Sequence, residues 1–170
     1  ALPFYHGQKG VTKWFFAFMF DYLSRAYERT DKLDSALHFA QMSLQYSIMN
    51  YGESANYQSA ILFGMIYSRM GQPSLALEYF RSYLTGVKNN PAQVKGIIDC
   101  YYEMSNHFER NQQTDSAIHY ARKSFILSQK HEFRIDVLDA ARLLTRLYTY
   151  TGNVDSAFRY QHIMVSTEEE

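Results

Sequence analysis

The stretch Glu28–Ser43, ERTDKLDSALHFAQMS, returns as ERNQQTDSAIHYARKS over Glu109–Ser124. Two fainter echoes, GQPSLALEYF from Gly71 and GNVDSAFRYQ from Gly152, complete a set of four. Working outward, the shared alanines Ala36, Ala76, Ala117 and Ala157 fall 40, 41 and 40 residues apart. At a constant distance before each stands a small residue followed three positions later by an aromatic: Ser24 and Tyr27, Gly64 and Tyr67, Ser105 and Phe108, Thr145 and Tyr148. A large apolar residue precedes each small one: Leu23, Phe63, Met104 and Leu144. One unit has been written four times, and its period marks a stacked helical repeat. The small residue and the alanine let two helix backbones approach, while the flanking apolar and aromatic side chains fill the space beside the contact. Each hairpin leaves an apolar face that a neighbour must cover, so the units stack.

Composition agrees with helices. Fifteen Tyr and twelve Phe stand against three Pro and eight Gly, the two residues that interrupt helices. A chain of 170 residues buries roughly 70% of the surface its unfolded form exposes, so neither disulfide nor metal is needed to hold it. Hydrophobic and charged contents of 46% and 20% exclude a disordered or collagen-like chain. Seventeen Lys and Arg balance seventeen Asp and Glu, leaving no global field to draw a polyanion, so nucleic acid is not an expected partner. The single cysteine, Cys100, reads as a small apolar residue inside a helix. The longest apolar run, Trp14 to Phe20, is too short to span a bilayer, and no membrane contact is expected from this segment. ALPFYHGQKG lacks a signal-peptide pattern and the chain begins at Ala1, which suggests a trimmed or processed chain. A signal or anchor outside it stays open, as does a cytoplasmic or periplasmic location.

The expected first helices run over about 11–29, 53–70, 92–110 and 132–151, the second helices over about 34–49, 74–88, 115–130 and 155–167. Turns fall at Asp31, Gly71, Gln112 and Gly152. Asp34, Ser74, Asp115 and Asp155 sit where they can accept from free N–H groups or meet the positive end of the helix dipole. Pro73 opens a helix where a missing N–H costs nothing.

The order of apolar residue, small residue, aromatic three later, then alanine across a turn resembles the tetratricopeptide repeat (TPR). In the second unit it reads Phe63, Gly64, Tyr67, Gly71, Ala76 and Phe80; the resemblance covers about 11–168. The period is near 40 instead of 34, and Ile48, Lys88 and Gln129 occupy places where the family carries proline. The resemblance implies an all-α, right-handed α-solenoid of four stacked TPR-like hairpins in one domain: an extension over 1–10, then repeats over 11–49, 50–90, 91–130 and 131–170. Such lengthened repeats look like the sensing or partner-binding regions of bacterial signalling and regulatory proteins, which implies a non-enzymatic module that binds a protein or peptide. The alternative is a small-molecule binder, for instance of a saccharide.

No phosphate loop, nucleophile elbow, H-E-x-x-H or Cys cluster occurs, so no catalytic residue, metal or cofactor is expected. His38 and His119 occupy equivalent positions, which repetition explains better than catalysis. In tetratricopeptide proteins the ligand lies against the first helices. Helical geometry places three before, one after and four after the small residue on one stripe. The stripe reads Asp21, Arg25, Glu28; Ile61, Met65, Ser68; Tyr102, Asn106, Glu109; and Arg142, Arg146, Thr149, and the candidate groove is its first two positions on each helix: Asp21, Arg25, Ile61, Met65, Tyr102, Asn106, Arg142 and Arg146. Arg29, Arg69 and Arg110 recur near helix ends, where dipole compensation explains them. Finally, Trp14, Phe15, Phe16 and Phe18 point all round the first helix, which asks for cover on more than one side. That candidate interface would be met by upstream repeats, a homodimer or residues 1–10.

Overall fold

The computed structural model describes residues 13–51, 59–88 and 90–169. They form eight α-helices and no strand: α1 (Lys13–Arg29), α2 (Leu33–Tyr51), α3 (Ala60–Arg69), α4 (Pro73–Gly86), α5 (Val94–Arg110), α6 (Thr114–Lys130), α7 (Arg134–Tyr150) and α8 (Val154–Glu169). A 3₁₀ turn, Pro91–Gln93, leads into α5, with the Asn90 side chain accepting from the Ala92 N–H. The helices pair as four hairpins, each stacked on the next. The expected start of the third helix, at 53–58, and the extension over 1–10 lie outside the described residues.

Each hairpin turn is the same device. Asp31, Gly71, Gln112 and Gly152 adopt φ of 61°, 72°, 59° and 73°. The next residue then donates back to the repeat's aromatic: Lys32 to Tyr27 O, Gln72 to Tyr67 O, Gln113 to Phe108 O and Asn153 to Tyr148 O, each at 2.9 Å. This is a Schellman closure, and the left-handed residue it needs is tolerated best as glycine. Those four aromatics also stack, face to face, on the aromatic of the second helix. Tyr27–Phe39, Tyr67–Tyr79, Phe108–Tyr120 and Tyr148–Tyr160 have centroids 5.2, 5.4, 5.3 and 5.8 Å apart with interplanar angles of 5–12°. One residue type thus closes the turn through its carbonyl and locks the hairpin through its ring. Asp34, Asp115 and Asp155 lie inside the first turn of their helices, where they meet the dipole. The capping oxygen in the fourth hairpin belongs to Asn153, which accepts from Ser156 N at 3.0 Å.

The shared alanines are 0–9% exposed. Opposite them, the Ser24 hydroxyl donates to Ala36 O at 2.8 Å and the Ser105 hydroxyl to Ala117 O at 2.8 Å. Farther along the same hairpins Ser43 donates to Ala17 O and Ser124 to Ile98 O. The second hairpin differs: a Cβ on Gly64 would lie 2.6 Å from the Phe80 ring. Between the second and third hairpins, a Cβ on Gly96 of α5 would overlap the Tyr83 hydroxyl of α4. Between hairpins, Leu62 and Ile66 of α3 bury against Ala36 and Ala40 of α2, and a larger core runs from Ala60 to Leu147.

Candidate functional site

At about 100° per residue, the stripe through Asp21 and Arg25 on α1 continues toward the helix start through Phe18 and Trp14. On α3 the stripe holds Ile61 and Met65, on α5 Tyr102 and Asn106, and on α7 Arg142 and Arg146. Phe18 and Trp14 are 55% and 53% exposed, so the aromatic run and the candidate groove share a helix face. The run itself divides. Phe16 is half-buried against Phe20 and Tyr46, whereas Phe15 and Tyr22 are exposed on the side of α1 turned away from α2.

The charged members of the stripe are paired within the chain. Arg25 Nε meets Asp21 Oδ2 at 2.8 Å, and Arg142 Nη1 meets Asp139 at 3.0 Å. Arg146 forks onto both oxygens of Glu109, at 2.9 and 2.6 Å, bridging α7 to α5, and that bond chiefly raises the guanidinium pKa. Arg69 donates to Glu28 Oε1 at 2.8 Å, to the Glu28 carbonyl, and to Asp31 at 3.0 Å. Lys95 joins Asp99 at 2.5 Å and Asp136 at 3.1 Å. Burial lowers the Lys95 pKa, but the two carboxylates outweigh it and the net shift is upward. Arg69 and Arg110 therefore do more than compensate their own helix ends. Each reaches back one repeat, Arg69 to Glu28 and Arg110 to Ser68 at 3.5 Å.

The apolar members, Ile61, Met65 and Tyr102, are half-buried against the core. Burial, then Asp139, pushes the Tyr102 pKa up. Beside it the Asn106 amide donates to Glu103 Oε2 at 3.4 Å. Burial raises the Glu103 pKa, while Asn106 and Arg110 oppose the shift. Glu103 occupies a register filled by Leu62 and Leu143 in the neighbouring hairpins. One turn on, His107 replaces Ile66 and Leu147; it is 1% exposed. Its Nδ1 lies 2.9 Å from Ser68 Oγ. Arg110 has no acceptor, so a Ser68 hydroxyl that accepts from it can donate to His107 Nδ1. Burial, then Arg110, lowers the His107 pKa. Glu103 and His107 were not marked as site residues from the sequence; their departure from an otherwise apolar register was the available signal.

Elsewhere the chemistry is sparse. Cys100 is buried with its thiol on Phe80 O at 3.6 Å, and burial raises its pKa strongly. Exposed His38 and His119 lie edge-on to Phe39 and Tyr120. Among the described residues no three His, Cys, Asp or Glu side chains are placed to hold a metal ion, and no helix is long and apolar enough to cross a membrane.

The fold and this face define an all-helical hairpin-repeat protein. Among solved structures it is similar to BtubC (BKLC) from P. vanneervenii, with a TM-score of 0.73, 16% identity, and coverage of 96% of this chain and 67% of that one. At that identity the likeness is one of fold. No protein-family profile matches the chain, and no curated protein matches it.

Proposed function

We propose that this chain is a non-enzymatic, tetratricopeptide-like module that binds an extended or helical protein segment along its first helices. The observation that carries the reading is the division of that face. Its cations are engaged by carboxylates of the same chain, while Trp14 and Phe18 stand exposed within two turns before Asp21, and the stripe continues on the next first helices with half-buried Ile61, Met65 and Tyr102. A ligand that relied on charge would first have to break those pairs. One that supplies apolar anchors meets a surface with nothing to displace but water. The preferred segment therefore carries two or three large apolar residues and little net charge. Placement within a larger bacterial regulator rests on the family resemblance alone. The saccharide reading has less support, because the aromatic beside Asn106, Tyr102, is half-buried.

Peptides selected from a displayed random library and measured by fluorescence anisotropy test this. Met65→Lys and Trp14→Ala are expected to weaken binding at least tenfold, and Arg142→Glu with Arg146→Glu by less. Failure to enrich any peptide, or loss of binding only with the arginine variant, would overturn the proposal.

A further inference from the structure

The inter-hairpin contact is made by one register on each side. On the first helices, Leu62 and Ile66 of α3 are 2% and 0% exposed, and Leu143 and Leu147 of α7 are each 1% exposed, all covered by the preceding hairpin. In the same register α1 carries Tyr22, 59% exposed, and exposed Ala26, with 45% exposed Phe15 on the same side. On the second helices, Leu37, Leu77 and Ile118 are half-buried under the hairpin that follows. Their counterpart on α8, Phe158, is 67% exposed. Leu44, Leu84 and Phe125 are likewise covered, whereas their counterpart Val165 is 51% exposed.

The first and last described helices thus present the two complementary halves of a junction that the molecule builds internally three times. We propose that a second copy of this chain docks its α1 on α8 of the first, so that the hairpin stack continues head to tail from one molecule to the next. Phe158 and Val165 then cover Tyr22, Ala26 and Phe15 as each second helix covers the next first helix. The contact is heterologous: joining the α1 face of one copy to the α8 face of another leaves an α8 face and an α1 face for further copies of these 170 residues, so growth does not stop at two. This does not rest on the peptide-binding reading, whose residues occupy the adjoining stripe of α1, where Phe18 packs on Tyr22 with ring centroids 4.5 Å apart.

Sedimentation velocity of the 170-residue chain over a concentration series tests it. The mass is expected to rise with concentration beyond two copies. Phe15→Lys with Tyr22→Lys, and separately Phe158→Lys with Val165→Lys, should each leave a monomer, and an equimolar mixture of the two variants should give a one-to-one complex and nothing larger. Far-UV circular dichroism checks that helicity is retained, and Tyr22→Gln and Phe158→Gln replace any variant that unfolds. A wild-type chain monomeric at all concentrations would overturn the proposal, pointing to cover by residues 1–12 or a different partner. So would a wild type that stops at two copies, self-association retained by either variant, or a mixture that stays monomeric, the first two being marks of a symmetric contact.

Discussion

The first and third hairpins close on a hydroxyl; the second closes on an aromatic ring. In the former pair, Ser24 and Ser105 donate to the alanine carbonyls opposite, and one turn past those alanines stand Ala40 and Ala121, both fully buried. In the second hairpin the serine is Gly64 and the later alanine is Phe80, whose ring occupies the space a Cβ at Gly64 would need. Farther along, Ser43 and Ser124 bond across their own hairpins, whereas Tyr83 in the same register reaches out of its hairpin to lie over Gly96 of α5. One backbone spacing is thus served by two chemistries, hydrogen bond with small residues or ring against glycine. Neither works with half of its partners exchanged.

The largest way to break this comparison is Phe80→Ala. The ring is wholly buried, so its removal should cost about 3–5 kcal/mol in urea unfolding. In that background Gly64→Ser should regain stability, because the vacated volume admits a hydroxyl aimed at Ala76 O. In the wild-type background the same serine should destabilise; additive effects would mean that the two solutions are not alternatives. Next comes Gly64→Ala. Its methyl would meet three ring atoms at 2.6–2.9 Å, and over-packing of this kind costs about 1–3 kcal/mol. Smaller again is Ser105→Ala, which deletes a buried hydrogen bond for about 0.5–1.5 kcal/mol; no change in urea midpoint would leave the hydroxyl without a structural part.

What the sequence made legible follows from where partners lie. Turn residues, packing alanines and stacking aromatics have their partners within the same hairpin, so a fixed spacing exposes them four times over. The Tyr83–Gly96 approach has no such repetition: it crosses from α4 to α5, between hairpins, and its register reads Ser43, Tyr83, Ser124 and Met164, so no spacing announces it. Arg69 and Arg110 sit at helix ends, where dipole compensation already accounts for them; the residues they reach, Glu28 and Ser68, lie 41 and 42 positions back. Spacing along one helix does not encode that contact. Phe18 was within reach of the same geometry that gave Asp21 and Arg25. Its place in an all-round aromatic run pointed instead to burial.

A smaller test concerns the turns. Gly71 and Gly152 adopt the left-handed conformation without a Cβ, whereas Gln112 adopts it at φ 59° against steric opposition of about 1–2 kcal/mol. Gln112→Gly removes that opposition and adds the entropy of a freer unfolded chain, about 0.5–1 kcal/mol. A net stabilisation of about 0.5–1 kcal/mol should remain, seen as a higher urea midpoint. A fall in stability would show that the Gln112 side chain contributes more than its backbone strains.

The last test is read in a slope. Glu103 stands where the second and fourth hairpins place leucine, and its burial raises its pKa above the ordinary 4.5. A group raised on folding is at no disadvantage below its unfolded pKa, where both states are protonated, and it loses stability as pH rises through the folded value. The ionised carboxylate therefore opposes folding at neutral pH. Glu103→Gln keeps an acceptor for Asn106 and removes the charge, so it should be more stable than wild type at pH 7, with the difference vanishing as pH falls below 4.5. His107 has the opposite dependence. Its pKa is lowered from 6.5, so its neutral form supports the fold above that value and the support is lost on acidification. Since Glu103→Gln leaves His107 in place, thermal unfolding of both proteins from pH 4 to 8 isolates the carboxylate. Parallel curves would mean that Arg110 and Arg25, the cations that bear on Glu103, compensate both its burial and the like charge of Glu28 in full, and that the polar pair in the third hairpin costs the stack nothing.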